Sequence, residues 1–171
     1  LKVADRKERL SHFTFITGSE IMQNHVEFMK QALSLAKEAA ALGEVPVGAI
    51  VVKDGESVGK WYNLRENNAS ATAHAEIIAI EEACRTLGTW RLSGCTLYVT
   101  LEPCPMCAGA LVNSRIDKVV FAVRDSVAGC LGSVINFNRY PFNHAFAVEE
   151  GVLAGESAAL LKEFFEKKRR K

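Results

Sequence analysis

The chain has 171 residues, 49% of them hydrophobic and 24% charged, with a net charge of +1. That length and balance describe one globular domain with a sizeable core. They exclude a transmembrane segment, since no apolar run reaches the roughly 20 residues a bilayer requires, and they do not mark the whole chain as a polycation.

Taken in order, residues 1–21 have no assigned role. Asp5–Arg9 could form a charged helical turn and His12–Thr17 an edge strand, and no apolar signal core is present. Residues 24–42 read as an amphipathic helix. Asn24 is the N-cap, Phe28, Met29, Ala32, Leu33, Ala36, Ala39 and Ala40 form the apolar stripe, and Gly43 is the terminator. Val47–Val52 is an apolar run fit for a buried strand, and Asp54-Gly55 turns the chain into a second strand, Ser57–Tyr62. A loop marked by Asn67, Asn68 and Ser70 precedes a helix over 73–87 that stops at Gly88. Thr96–Leu101 is a strand, Pro105–Ser114 a helix and Lys118–Val123 a strand. Residues 124–142 are loop-rich with a short helix around 133–138. A fifth strand is expected near Phe146–Val148, and Gly155-Glu156-Ser157 leads into the last helix. Alternating helices and strands imply a layered α/β sandwich with one sheet.

Chemistry concentrates in two short segments, His74-Ala75-Glu76 and Pro103-Cys104-Pro105-Met106-Cys107. Catalytic zinc sites commonly take three protein ligands and keep a fourth position open, whereas structural sites take four. His74, Cys104 and Cys107 make three, and Glu76 need not bind metal. Two cysteines three apart at a helix start share a face, and Pro105 suits the first helical turn. The free N–H groups of that turn lower the thiolate pKa values. His74 and Glu76, two apart, point to different faces, so Glu76 is placed for general acid/base work beside the metal. A closed Cys3His structural site completed by Cys84, Cys95 or Cys130 is the bland alternative. Cys84 and Cys95 read as small buried hydrophobes. Five cysteines with no secretory signal suggest a reducing compartment.

Charge is uneven. Residues 162–171 carry six positive and two negative charges around Phe164-Phe165, a local +4 that leaves −3 elsewhere. Basic residues beside paired aromatics suit phosphate contact plus base stacking. A solvated helix end favoured by its dipole is the alternative.

H-x-E followed by P-C-x-x-C is the signature of zinc-dependent nucleobase deaminases. From about Met22 onward the chain resembles the bacterial tRNA-specific adenosine deaminases of the TadA type, within the cytidine deaminase superfamily. The match is carried by Glu44-Val45-Pro46-Val47-Gly48-Ala49, Thr72–Glu76, Thr96–Ala110, Ser114-Arg115-Ile116, Gly132-Ser133, Asn143-His144 and the Phe164-Phe165 tail. The resemblance implies a three-layer α/β/α sandwich around a five-stranded mixed sheet, with residues 22–171 as the deaminase domain and 1–21 as an extension. It implies one Zn2+ per subunit held by His74, Cys104 and Cys107, with Glu76 as the proton shuttle. It further implies contacts to the anticodon loop from Asn63, Ala75, Asp125, Asn143, Phe164 and Phe165, and a cytoplasmic homodimer with no membrane association. The reaction it implies is hydrolysis of adenosine to inosine at the wobble position of a tRNA anticodon. A deaminase of a free base, nucleoside or nucleotide would use the same zinc motif, and the basic aromatic tail argues against it.

Overall fold

The structure, a computed structural model, describes residues 18–170. The turn expected over 5–9 and the strand over 12–17 lie outside the described residues. The elements run α1 (Gly18–Ala41), β1 (Gly48–Lys53), β2 (Glu56–Tyr62), α2 (Ala75–Leu87), β3 (Cys95–Leu101), α3 (Pro105–Ser114) and β4 (Lys118–Val123). A 3-10 turn (Phe137–Arg139), β5 (Ala147–Glu150) and α4 (Ala154–Arg169) complete the chain.

The sheet is five-stranded and mixed, in the order β2-β1-β3-β4-β5. β1 is antiparallel to β2 and β3, while β3, β4 and β5 run parallel. The Asp54-Gly55 turn joins the β1–β2 hairpin with both residues at positive φ, as a tight two-residue connection requires. The parallel pair β3–β4 is joined through α3, the crossover such strands need.

Period-two alternation builds two cores from three central strands. Ala49, Val51, Leu97, Val99, Val119 and Phe121 face α2 and α3, where Ala79, Ala83, Ala108 and Leu111 meet them. Ile50, Val52, Tyr98, Val120 and Ala122 face Met29, Ala32 and Leu33 of α1, with Val152 and Leu153 at the entry to α4. Burial on both faces explains why β1 and β4 read as unbroken apolar runs. The result is the expected α/β/α sandwich.

The differences from the sequence reading have physical causes. α1 begins at Gly18, so Asn24 is an exposed residue inside the helix and not its cap. Met22, Gln23 and Asn24 are solvent-facing and leave no apolar periodicity to read. The short helix expected around 133–138 is a 3-10 turn at Phe137–Arg139, capped by Asn136, whose side chain accepts from the Asn138 N–H at 3.0 Å.

Two glycines set how closely helices approach the sheet. A Cβ on Gly59 would lie 2.3 Å from the Ala79 carbonyl oxygen and 2.5 Å from the Ala83 nitrogen of α2, and one on Gly48 would lie 2.1 Å from the Ala32 carbonyl oxygen of α1. Gly59→Ala therefore pushes α2 off β2. It is expected to cost about 1–3 kcal/mol in a urea melt. Because α2 carries Ala75 and Glu76 in its first turn, the same substitution lowers activity as well as stability.

Candidate active site

His74 and Cys104 each occupy the N-cap of a helix, His74 of α2 and Cys104 of α3, with extended backbone at both. Pro105 sits in the first turn of α3, and Cys107 follows within the same turn. The two helix starts meet at the ends of β1 and β3, central strands of the sheet. His74 Nδ1 lies 3.7 Å from Cys104 Sγ and 3.6 Å from Cys107 Sγ. A tetrahedral ion with sulfur at about 2.3 Å and nitrogen at about 2.0–2.1 Å separates those atoms by about 3.6 Å. The donor set and its spacing thus fit a zinc ion.

Within the trio Cys104 is the readiest thiolate. The Cys107 thiol donates to Cys104 and, with His74, holds the Cys104 thiol down to about 4, while Cys107 is pushed up. The Cys104 hydrogen bond raises His74 above its ordinary value. The pair of sulfurs shares a proton that a metal displaces on binding. Among the described residues the metal-competent group contains these three side chains and no fourth. Cys130, the nearest rival for a closed site, donates instead to the Ala128 carbonyl.

Glu76, in the first turn of α2, is 4% exposed, and burial pushes its carboxyl up to about 7. It lines a cavity of about 220 Å³ together with His74, Ala75 and Cys104. Asn63 and Asp125 line the same cavity, so the structure brings three of the six expected substrate contacts to the metal-ligand cluster. Asp125 Oδ1 also caps its own turn, accepting from the N–H groups of Val127 and Ala128.

The other three lie outside that cavity. Asn143 accepts from Arg115 Nη1 at 2.7 Å through its Oδ1. Phe164 and Phe165 stack edge to face on α4. Phe164 lines a separate groove with Gly43, Lys167, Lys168 and Arg170. Gly43 of the groove and Val45 of the cavity both belong to the segment between α1 and β1. Glu163 pairs with Lys167 and Glu166 with Lys162, so among the described residues of this segment the uncompensated positive charge is on Lys168, Arg169 and Arg170.

Sequence reasoning missed Arg65 and Glu102, which also line the cavity. Glu102 is 2% exposed and accepts from the N–H groups of Asp125, Leu131 and Ser133 and from the Ser133 hydroxyl. Those donors hold its carboxyl below the ordinary glutamate range against the opposing effect of burial. Its single carboxylate fastens the 125–133 loop against the end of β3. A lone Glu after a strand carries no sequence signal for such a role.

The chain matches the family described as MafB19-like deaminase over residues 23–169. It is 51% identical over 145 residues to the tRNA-specific adenosine deaminase of Bacillus subtilis, covering 84% of this chain and 90% of that protein. With the tRNA-specific adenosine deaminase of Aquifex aeolicus it shares 52% identity over 143 residues, covering 83% and 94%. Among solved structures it resembles one from a study of A-to-I editing by tRNA:A34 deaminases at the wobble position of transfer RNA. There the TM-score is 0.77 and the identity 41%, over 79% of this chain and 99% of that one. A guanine deaminase from Nitrosomonas europaea superposes with a TM-score of 0.72 at 26% identity, over 81% and 83%.

Proposed function

The chain belongs to the tRNA-specific adenosine deaminases within the MafB19-like deaminase family, and on that premise we infer that it hydrolyses adenosine to inosine at the tRNA wobble position. The observation that carries the chemistry is a buried carboxylate, Glu76, sharing one cavity with a three-ligand metal cluster.

His74, Cys104 and Cys107 would hold one Zn2+. When bound, the ion supplies Lewis acidity that makes water nucleophilic near neutral pH. The rest of the work falls to the chain. Glu76 takes the proton released as water adds to C6 of adenine and delivers it to N1. It then takes the proton of the newly added C6 hydroxyl and gives it to the departing amine, acting as base and then acid. Water enters and ammonia leaves, so adenosine becomes inosine. Low exposure at Glu76 keeps bulk water from competing for that proton.

Asn63 and Ala75 border the extruded base, and Asp125 borders its flank. The groove beside Phe164 offers an aromatic face and a cationic rim to the flanking nucleotides. A loop base is already unpaired, so its extrusion costs less than flipping from a duplex. The working form is a homodimer. The exposed apolar residues Val134, Ile135, Tyr140 and Phe142, clustered between β4 and β5, support such an interface. A tRNA substrate and five free cysteines suit the cytoplasm. No helix among the described residues is long and apolar enough to cross a membrane.

Positional editing tests this reading. An anticodon stem-loop with adenosine at the wobble position is expected to convert to inosine, scored as guanosine on sequencing. The same RNA with the adenosine moved one nucleotide along the loop should stay unconverted; equal conversion of both would contradict wobble specificity.

A further inference from the structure

Glu44 stands within the α1–β1 connection, is 0% exposed and does not line the cavity. A fully buried carboxylate is costly unless it is well partnered. Here every partner is a donor on one short segment. The Asn67 N–H donates to Oε1 at 2.7 Å, Asn67 Nδ2 to the same oxygen at 2.9 Å, and Asn63 Nδ2 to Oε2 at 3.2 Å. Asn63 is itself 5% exposed and reaches the cavity beside Glu76. Its backbone N–H donates to the Val47 carbonyl at 3.0 Å, and burial of the side chain leaves rotation of the amide as its main freedom.

The chemistry of the pair decides that rotation. An ionised carboxylate only accepts, and an amide offers donors at one end and acceptors at the other. With Glu44 beside it, the amide is held with Nδ2 toward the carboxylate. The Oδ1 end has no donor among the described residues. Flipping the amide would set two acceptors against each other in a buried site.

We propose that Glu44 is a positioning residue that acts through Asn63, locking the orientation of the amide that the cavity presents to the nucleobase. The assignment rests on the proposed nucleobase reaction, yet it does not depend on which base is the substrate. It also accounts for a buried charge about which the metal chemistry says nothing.

A double-mutant cycle tests it, with Glu44→Gln, Asn63→Ala and both together, read as kcat/KM on the zinc-loaded enzyme with thermal melts alongside. Glutamine keeps the size but carries one acceptor. The Asn67 N–H takes that acceptor, and the Gln amide nitrogen then faces Asn63. Glu44→Gln alone is expected to lose about ten- to a hundred-fold in kcat/KM, the scale of a misdirected hydrogen bond in a buried site. In the Asn63→Ala background the same substitution should cost less than about threefold. Equal losses in both backgrounds would overturn the proposal and leave Glu44 a structural residue. If Glu44→Gln does not fold, Glu44→Asp, which keeps the charge but retracts it by one methylene, runs through the same cycle. The cycle is read with whichever substrate the wild type turns over. A wild type inert on the stem-loop but active on a free base would thus contradict the tRNA reading while still deciding this one.

Discussion

Glu76→Ala is expected to yield a folded protein that holds its metal, binds the anticodon stem-loop and forms no measurable inosine. Several observations together require that outcome. Glu76 is not one of the three ligand residues, so its loss leaves the His74, Cys104 and Cys107 set intact. It is a carboxylate lining the cavity, 4% exposed, and no bulk-water route replaces it readily. A positioned general acid/base contributes about 10²–10⁴-fold per proton transfer, and here one group serves two transfers in a turnover. The loss in kcat should therefore reach about 10⁴ or more. Glu76→Gln, with the same shape and no titratable proton, should fall as far. Metal content by mass spectrometry and RNA affinity by anisotropy check the two properties that should persist. Loss of the metal in either variant would show that Glu76 supports the ligands and not the reaction.

Stripping the metal is expected to abolish activity while leaving the fold largely in place. Both hydrophobic clusters assemble from side chains of the sheet, of α1, α2 and α3 and of neighbouring loops, and none of His74, Cys104 and Cys107 belongs to either. The core can form without the ion, unlike small zinc modules in which metal binding is the folding energy. After chelation, far-ultraviolet circular dichroism should remain native-like and kcat should fall at least about 10³-fold. One equivalent of zinc should restore it. Cooperative unfolding on chelation would instead identify a structural site. Cys104→Ala and Cys107→Ala should each reproduce the loss without rescue by zinc.

How much of this was legible in the residues depended on locality. The metal trio could be read because each half is a short motif at a helix start. The helix Pro105–Ser114 and strand Lys118–Val123 match their expected bounds, since Pro105 marks one end and an apolar run fills the other element. The start of α1 is not legible, because Met22, Gln23 and Asn24 are exposed and carry no stripe. Glu44 and Glu102 were invisible as functional supports. Along the chain each is a single charged residue, and only tertiary structure shows it buried under convergent N–H donors from a distant loop. Arg65 was missed for the same reason. Asn63, Ala75 and Asp125 do gather at the cavity, while Asn143, Phe164 and Phe165 stand outside it on other elements. A spaced sequence pattern lists such positions without saying how far apart they fold.

The guanine deaminase fold neighbour makes substrate class the point on which the account turns. The most direct test is a side-by-side measurement of kcat/KM for a wobble-adenosine stem-loop, free adenosine, cytidine and guanine, using the zinc-loaded wild type. Turnover confined to the stem-loop is the predicted result, and it would make the groove beside Phe164 part of the working site. Turnover of free guanine or of a nucleoside, with the stem-loop untouched, would keep the roles of Glu76 and the metal cluster and contradict the assignment to tRNA.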